Sequence, residues 1–75
     1  TGFFLYPNPA GSYVNISSDS ENARISISDM TGKEIINRVT DSKMTQIDIR
    51  VLTHGIYTVK VTMNDAPLIK KLIIQ

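Results

Sequence analysis

The sequence lacks several residue types on which protein chemistry often depends: it has no cysteine, no tryptophan and only one histidine. Without cysteine the chain can form neither a disulfide framework nor a thiolate metal site, and it has no cysteine nucleophile. Its formal net charge is only +1, whereas nucleic-acid binders and membrane-surface peptides usually carry a strongly basic surface. We therefore expect no nucleic-acid binding and no thiolate chemistry.

Long apolar runs are absent as well. No stretch approaches the roughly 20 consecutive apolar residues of a membrane-spanning helix, and no signal-peptide pattern opens the chain, so we expect no membrane insertion. Because the sequence begins at Thr1 and Gly2 without a Met, we expect a piece of a larger protein whose export signal lies elsewhere. With 75 residues, 41% of them hydrophobic, it can bury one small core but has little surplus for a deep ligand cavity.

The sequence does contain repeated alternation of apolar and polar residues, the pattern of half-buried strands. This alternation runs through four stretches: Val14–Ser17, Ala23–Ser28, Ile47–Val51 and Tyr57–Met63. Shorter apolar runs lie at Phe3–Tyr6, Ile35–Val39 and Leu68–Ile74. The pattern therefore predicts about seven strands, and no window has the spacing of a helix.

Turn residues separate these stretches. In Asp29-Met30-Thr31-Gly32 the aspartate can accept hydrogen bonds from the following backbone and the glycine can adopt positive φ, which predicts a hairpin. Asn64-Asp65-Ala66-Pro67 predicts a second hairpin, with Pro67 in the turn or at the lip of an edge strand. Ser17–Asn22 and Thr40–Lys43 are predicted loops of ordinary length.

About seven short strands with frequent turns predict an all-β fold: a small antiparallel two-sheet sandwich of immunoglobulin-like architecture. A small barrel is the alternative. The cysteine and tryptophan markers of true immunoglobulin domains are missing, so only the architecture is predicted.

Four segments go beyond the general pattern of a β-sandwich. They are Leu5–Ala10 with Pro7-Asn8-Pro9, Ile27–Lys33 with Asp29 and Gly32, Leu52–Val61 with Gly55 and Tyr57, and Lys70–Gln75. In their order and spacing they closely resemble the type A C-terminal sorting domain of the type IX secretion system of Bacteroidota. The resemblance covers essentially the whole chain.

The motifs at Pro7-Asn8-Pro9 and at Gly55 also have structural interpretations. Pro7 and Pro9 fix φ and bias the residue before each of them, Asn8 included, toward extended backbone, which gives a rigid entry into the sandwich. Gly55 lies directly before a strand, where positive φ or a close backbone approach would select glycine, and Tyr57 would fill the core beside it.

The last strand is apolar on both faces, because Leu68, Leu72 and Ile74 alternate with Ile69 and Ile73. Either it is a central strand covered on both sides, or one face and its edge dock a partner. Lysines there are by default solvated residues that protect an edge from aggregation, and only the resemblance makes them recognition residues. The residues predicted on that basis to contact a partner are Lys70, Lys71, Leu72, Ile73, Ile74 and Gln75.

The resemblance implies a function without chemistry in this domain. Residues 1–75 would form a single C-terminal sorting domain, with no cofactor, fused to an N-terminal cargo. Proteins with such a tail enter the periplasm by an ordinary signal peptide, and outer-membrane translocon and shuttle proteins of the type IX system recognise the folded tail. A sortase-like peptidase commonly removes the tail just before the domain, and the cargo is anchored at the cell surface or released into the medium.

Residues for catalysis or metal binding are few. His54 lies in a turn beside Gly55, and no serine has a nucleophile-elbow setting, so we predict no enzyme. Six carboxylates lie mostly in separate loops, which does not favour a calcium site: Asp19, Glu21, Asp29, Asp41, Asp48 and Asp65. Asn15-Ile16-Ser17 matches a glycosylation sequon but lies within a strand.

Two rival functions stay open. An adhesion or carbohydrate-binding module of a secreted hydrolase would need exposed aromatics on one sheet face. We expect few of them, because Tyr13 and Tyr57 lie in phase with core positions or at strand ends, while Phe3, Phe4 and Tyr6 would cap the core. A purely structural spacer predicts instead that deletion of Lys70–Gln75 harms stability without abolishing export. A homodimer through the edge of the terminal strand is also expected to be accessible.

Overall fold

The computed structural model describes residues 2–19, 22–63 and 66–75. Over these residues the chain forms seven strands and no helix: β1 (Phe3–Tyr6), β2 (Tyr13–Ser18), β3 (Ala23–Ser28), β4 (Glu34–Thr40), β5 (Met44–Asp48), β6 (Gly55–Met63) and β7 (Ala66–Ile74). The predicted all-β class and the predicted number of strands are confirmed. No helix in the described part of the chain has the length and apolarity needed to cross a membrane.

The strands form two separate sheets. One has the order β1-β2-β5 and the other the order β4-β3-β6-β7, and all neighbours are antiparallel. This arrangement is that of the predicted small sandwich rather than of a closed barrel. The strands at the two edges of the larger sheet are β4 and β7.

One hydrophobic core lies between the sheets. Alternate residues of the strands point into it, as the period of two requires. Nine large side chains are almost completely buried: Phe3, Val14, Ile25, Ile27, Ile47, Ile49, Val59, Val61 and Leu72. Each fully buried side chain of this kind stabilises the fold by about 1.5–3 kcal/mol relative to an exposed one. Among the described residues, every buried side-chain nitrogen or oxygen has a hydrogen-bond partner.

The expectation that the N-terminal aromatics cap the core is correct for Phe3 and wrong for Phe4 and Tyr6. Phe3 is buried, whereas Phe4 is 70% exposed and Tyr6 42% exposed. The reason is the alternation of side chains along a strand. Because Phe3 and Leu5 point inward from β1, Phe4 and Tyr6 point outward.

The predicted strand Ile47–Val51 is displaced. The strand β5 ends at Asp48, and Val51 is 82% exposed although Ile49 is buried. The chain turns here because Asp48 Oδ1 accepts the backbone N–H of Arg50 at 2.9 Å, and the N–H of Leu52 donates to the carbonyl of Ile49 at 3.0 Å. Alternation in the sequence continued across this turn by coincidence, so periodicity alone could not place the end of the strand.

The hairpin between β3 and β4 forms as predicted. Asp29 Oδ1 accepts hydrogen bonds from the N–H of Thr31 at 2.9 Å, from its hydroxyl at 2.6 Å and from the N–H of Lys33 at 3.1 Å. Gly32 has φ of +89°, which an L-residue with a side chain rarely adopts.

Half of the predicted turn at residues 64–67 belongs to the last strand, and Pro67 lies on an edge strand, one of its two predicted places. Ala66 and Pro67 belong to β7, where they pair with Met63 and Thr62 of β6, and residues 64–65 lie outside the described part. Among the predicted loops, residues 17–18 belong to β2 and residue 40 ends β4, while residues 20–21 also lie outside the described part.

Candidate docking surface on the terminal strand

The strand β7 lies at the edge of the four-stranded sheet, which excludes the alternative of a central strand. It pairs along its whole length with β6, from Met63↔Ala66 to Gly55↔Ile74. Of its apolar side chains, Leu72 and Ile74 are buried and Leu68 is half-buried, whereas Ile69 is 64% exposed and Ile73 37% exposed. The predicted division of the strand into an inner and an outer apolar face is confirmed.

The C-terminal half of the outer edge of β7 is covered by the segment Asn8–Ala10. Asn8 Nδ2 donates to the carbonyl of Lys71 at 3.0 Å, and Asn8 Oδ1 accepts the N–H of Ile73 at 3.0 Å. The N–H of Ala10 donates to the carbonyl of Ile73 at 2.8 Å, and the N–H of Gln75 donates to the carbonyl of Ala10 at 2.8 Å. The side-chain amide of Asn8 and the backbone of Ala10 thus make the hydrogen bonds that a neighbouring strand would make.

Local sequence explains why this segment can reach β7. Pro7 and Pro9 fix φ on both sides of Asn8, and neither has an N–H that would need a partner; the bonds Tyr6–Pro7 and Asn8–Pro9 are both cis. Ala10 is 1% exposed and anchors the end of the segment in the core. The role of Asn8 could not be predicted, because its partners lie 63 and 65 residues away and no local pattern marks them.

No segment in the described part of the chain covers the N-terminal half of the same edge. The hydrogen bonds to Asn8 and Ala10 show that odd-numbered residues of β7 direct their backbone groups outward. By the same alternation the backbone groups of Pro67, Ile69 and Lys71 point away from β6, toward the edge of the sheet. Within the described residues, the N–H and carbonyl of Ile69 and the N–H of Lys71 have no partner, and Pro67 has no N–H to offer. This short stretch is a template on which another strand can add.

The outer face of β6 and β7 beside this edge combines apolar and basic side chains. Ile56 pairs with Ile73, Thr58 with Lys71, and Lys60 with Ile69 across the two strands. We refer to Ile56, Lys60, Ile69, Lys71 and Ile73 as the β6–β7 face. All five side chains are exposed, and the three isoleucines lie next to two positive charges.

One carboxylate belongs to the same outer surface, on the far strand β4. The hydroxyl of Ser26 donates to Glu34 Oε1 at 2.7 Å and lowers the pKa of Glu34. The amide of Asn37, also at 2.7 Å, and the charges of Lys60 and Arg24 act in the same direction. Two strands, β3 and β6, separate β4 and its Glu34 from β7, so the charged side chains next to the three isoleucines are Lys60 and Lys71.

The six residues predicted to contact a partner divide into groups. Lys71, Ile73 and Gln75 are exposed, whereas Leu72 and Ile74 lie in the core. Lys70 is exposed but lies on the other side of the strand, with its Nζ 5.5 Å from the ring centroid of Phe3 and 5.8 Å from that of Phe4. Only the first group can touch a partner on the outer face.

The two middle motifs meet at one open cleft. The turn residues Asp29 and Lys33 line it from one side, and Leu52, Thr53 and Tyr57 from the other. Tyr57 is buried, and its hydroxyl donates to the carbonyl of Thr53 at 2.7 Å. This contact, together with the φ of +152° at Gly55, gives the motif Leu52–Val61 a structural role.

Among the residues that the structure describes, groups with catalytic or metal-binding chemistry do not converge. His54 is exposed in the bend before β6. In residues 2–19, 22–63 and 66–75 no three His, Asp or Glu side chains are placed to hold a metal ion. Two carboxylates of the predicted set already have partners, Asp29 in its turn and Asp48 in an ion pair with Arg50 at 2.6 Å. Glu21 and Asp65 lie outside the described residues.

The fold and its terminal strand define a class: a small β-sandwich domain whose last residues form a partly covered sheet edge. The family model of the secretion system C-terminal sorting domain matches residues 4–75, and the chain belongs to this family. It is a family of type IX sorting signals rather than of enzymes, and its signal implies export toward the cell surface or the extracellular space. No curated protein matches the chain.

Proposed function

We propose that this chain is recognised by the type IX machinery as a folded domain and directs an N-terminally fused cargo across the outer membrane. The observation that carries the proposal is the family match over residues 4–75. Folding matters because the final residues are part of the sheet: Leu72 and Ile74 are core residues and can only be presented as part of the sandwich. A partner therefore meets a surface and not a flexible tail.

The surface that best fits a partner is the β6–β7 face with the open edge next to it. Exposed apolar side chains that adjoin unpaired backbone groups are typical of sites where a partner strand adds to a sheet. Lys60 and Lys71 call for acidic groups on that partner, since complementary charge steers association and selects the partner. The translocon or shuttle protein would supply both features.

The surface peptidase is proposed to cut before Phe3. A peptidase needs accessible, extended backbone, and such backbone is concentrated outside packed elements. Phe3 is buried, and β1 pairs with β2 from Phe3↔Ser18 onward, so cleavage within the strand would require the edge of the sandwich to open.

Self-association through β7 remains a second use of the same edge. Because Asn8 and Ala10 occupy the backbone from the Lys71 carbonyl to Gln75, a second copy would have to pair with residues 67–71. A partner strand and a second copy would thus compete for the same few backbone groups.

Export of a reporter tests the proposal. A signal-peptide-bearing fluorescent protein is fused to the chain and expressed in a host with a type IX system, and reporter outside the cells is measured. The double variant Ile69→Gln/Ile73→Gln removes apolar groups from the β6–β7 face without touching the core. We expect about tenfold less exported reporter, the effect of losing a hot-spot contact. The matched control is Val39→Gln, on β4, where Val39 is 67% exposed.

Two further results would decide against the proposal. If the unaltered chain does not export the reporter, the sorting function is wrong and a spacer or binding module takes its place. If the chain exports the reporter and the double variant, with an unchanged melting temperature, does so equally well, recognition takes place elsewhere on the domain. The mass of the exported reporter reports whether, and where, the tail was removed.

A further inference from the structure

The outer face of the three-stranded sheet, on the opposite side of the molecule from the β6–β7 face, carries exposed aromatic rings. Phe4 is 70%, Tyr6 42% and Tyr13 40% exposed. All three side chains point outward from β1 or β2, since Phe3, Leu5 and Val14 point inward. Their exposure separates them from the core aromatics Phe3 and Tyr57.

The Cα atoms of the three aromatic residues follow an oblique line across two strands, and the Tyr6 side chain extends from this line toward β5. Phe4 pairs with Ser17 and Tyr6 with Asn15, while Tyr13 lies two residues further along β2 from Asn15. With a rise of about 3.4 Å per residue, their Cα atoms step along the strand direction over about 14 Å and shift by one strand spacing. A line of this length matches a short run of linked sugar rings.

Two of the rings are held in place. The hydroxyl of Tyr6 donates to the sulfur of Met44 at 3.2 Å. Because Met44 lies on β5, across β2 from Tyr6, this contact lays the Tyr6 side chain over the sheet. The guanidinium of Arg50 lies 5.4 Å from the ring centroid of Tyr13 and is itself paired with Asp48. Rings fixed before binding lose little conformational entropy when a ligand stacks on them.

Polar groups next to the rings are free to bind hydroxyls. Asn15 and Gln46 are direct cross-strand neighbours on this face. Neither side chain has a hydrogen-bond partner within the described part of the chain. Each amide offers two donor hydrogens and one acceptor oxygen, which suits adjacent sugar hydroxyls.

Charge and size decide between possible occupants. Among the outward-facing residues of β1, β2 and β5, all within the described ranges, only Asp48 is charged, and Arg50 pairs with it. One cation from another strand, Lys70 of β7, lies beside Phe4, with its Nζ 5.8 Å from the ring centroid. Single-stranded nucleic acid needs a positive groove along its backbone and is disfavoured. A second copy of the chain is disfavoured too, because three strands about 10 Å across fall well short of the roughly 800 Å² per partner of a stable interface.

We propose that the aromatic face, formed by Phe4, Tyr6, Tyr13, Asn15 and Gln46, binds a neutral oligosaccharide. Sugar rings stack on the aromatic side chains, and the two amides bind hydroxyl groups. The aromatic face belongs to the other sheet from the β6–β7 face, so a sugar and a secretion partner can be bound together. This proposal does not depend on the sorting function.

Titration of the 75-residue chain with cellohexaose and with mannohexaose tests it, followed by ¹H–¹⁵N NMR. We expect saturable shifts confined to amides of β1, β2 and β5 with at least one of the two sugars. Phe4→Ala and Tyr13→Ala each remove a stacking ring and weaken binding by about threefold to tenfold. Tyr13→Phe keeps the ring and retains binding. The matched control Met30→Ala changes a side chain that is 79% exposed in the β3–β4 turn and leaves binding unchanged.

Three results would overturn the proposal. The first is that neither sugar shifts the spectrum of the folded chain. The second is that shifts occur but are the same in Phe4→Ala and Tyr13→Ala as in the unaltered chain. The third is that the same amides shift with protein concentration alone, which would assign the aromatic face to a second copy. Thermal melts of every variant establish that it is folded before its binding is compared.

Discussion

At the scale of single residues, Asp48 and Arg50 form an ion pair on the surface. Arg50 donates through Nη2 at 2.6 Å and through Nε at 3.0 Å to the carboxylate, and its backbone N–H also donates to Asp48. These hydrogen bonds lower the pKa of Asp48 to about 2. The same contact raises the pKa of Arg50.

The pair predicts a pH dependence of stability. A carboxyl whose pKa is lower in the folded protein stabilises the fold above its unfolded pKa of about 3.9, and this contribution is lost as pH falls toward the folded value. The melting temperature is therefore expected to fall between pH 4 and about pH 2, the pKa of Asp48, with Asp29 adding to the slope because Thr31 lowers its pKa. Asp48→Asn reduces this slope.

Melting curves at half-unit steps of pH measure the effect, with Asp41→Asn in the exposed β4–β5 connection as control. Parallel curves for Asp48→Asn and the unaltered chain would contradict the assignment. Both side chains of the pair are about half exposed, so dissolved salt screens the attraction between their charges. The slope of melting temperature against pH is therefore expected to weaken with added salt.

At the scale of elements, the covered half of β7 depends on Asn8. Asn8→Ala removes two hydrogen bonds, which is expected to lower the free energy of unfolding by about 1–2 kcal/mol. It also frees the N–H of Ile73, whose amide exchanges faster, whereas that of Leu72 is unaffected because it faces β6. Hydrogen exchange by NMR and chemical denaturation measure the two effects.

Asn8→Asp is the informative companion variant. Its carboxylate still accepts the N–H of Ile73 but cannot donate to the carbonyl of Lys71, so protection at Ile73 is retained. Equal exchange of the Ile73 amide in Asn8→Ala and the unaltered chain would show that the side chain does not close the edge.

The elements also show what the sequence can and cannot predict. Strands with strict alternation, such as β3 and β6, were predicted almost to the residue because burial of one face imposes a period of two. The end of β5 was not, because a local hydrogen bond from Arg50 to Asp48 turned the chain while the alternation continued. The place of β7 at an edge and its cover by Asn8 depend on which strands become neighbours, and no single-strand pattern contains that information.

The same limit applies to the two surfaces. The sequence predicted an apolar outer side of β7 from Ile69 and Ile73, but not which lysine lies beside it. The aromatic face was missed because Phe4 and Tyr6 were grouped with Phe3 by proximity in sequence, whereas the strand period separates them.

At the scale of the whole molecule, the domain is small and each core residue matters. Its radius of gyration of 11.3 Å is that of a compact chain of this length. A domain of 75 residues is expected to have a free energy of unfolding of only about 4–11 kcal/mol. Truncating one buried leucine to alanine costs about 2–5 kcal/mol of this.

Deletion of residues 70–75 is therefore expected to unfold the domain. It removes Leu72 and Ile74 from the core and takes away the partners of Asn8 and Ala10. Circular dichroism and a thermal melt of the truncated chain measure the loss. A cooperative melt near that of the intact chain would contradict the prediction and would make truncation, and not only surface substitution, a fair test of the export signal.

The contact between Asn8 and β7 has a consequence for quality control. It joins residues 63 and 65 positions apart, so Asn8 has no partners until Lys71 and Ile73 have been made. A chain interrupted before Ala66 leaves Asn8 without these partners and the sheet without β7. A receptor that binds β7 would thereby accept folded copies of the domain and reject copies that lack this strand, which makes the sheet edge a proofreading device for the folded domain.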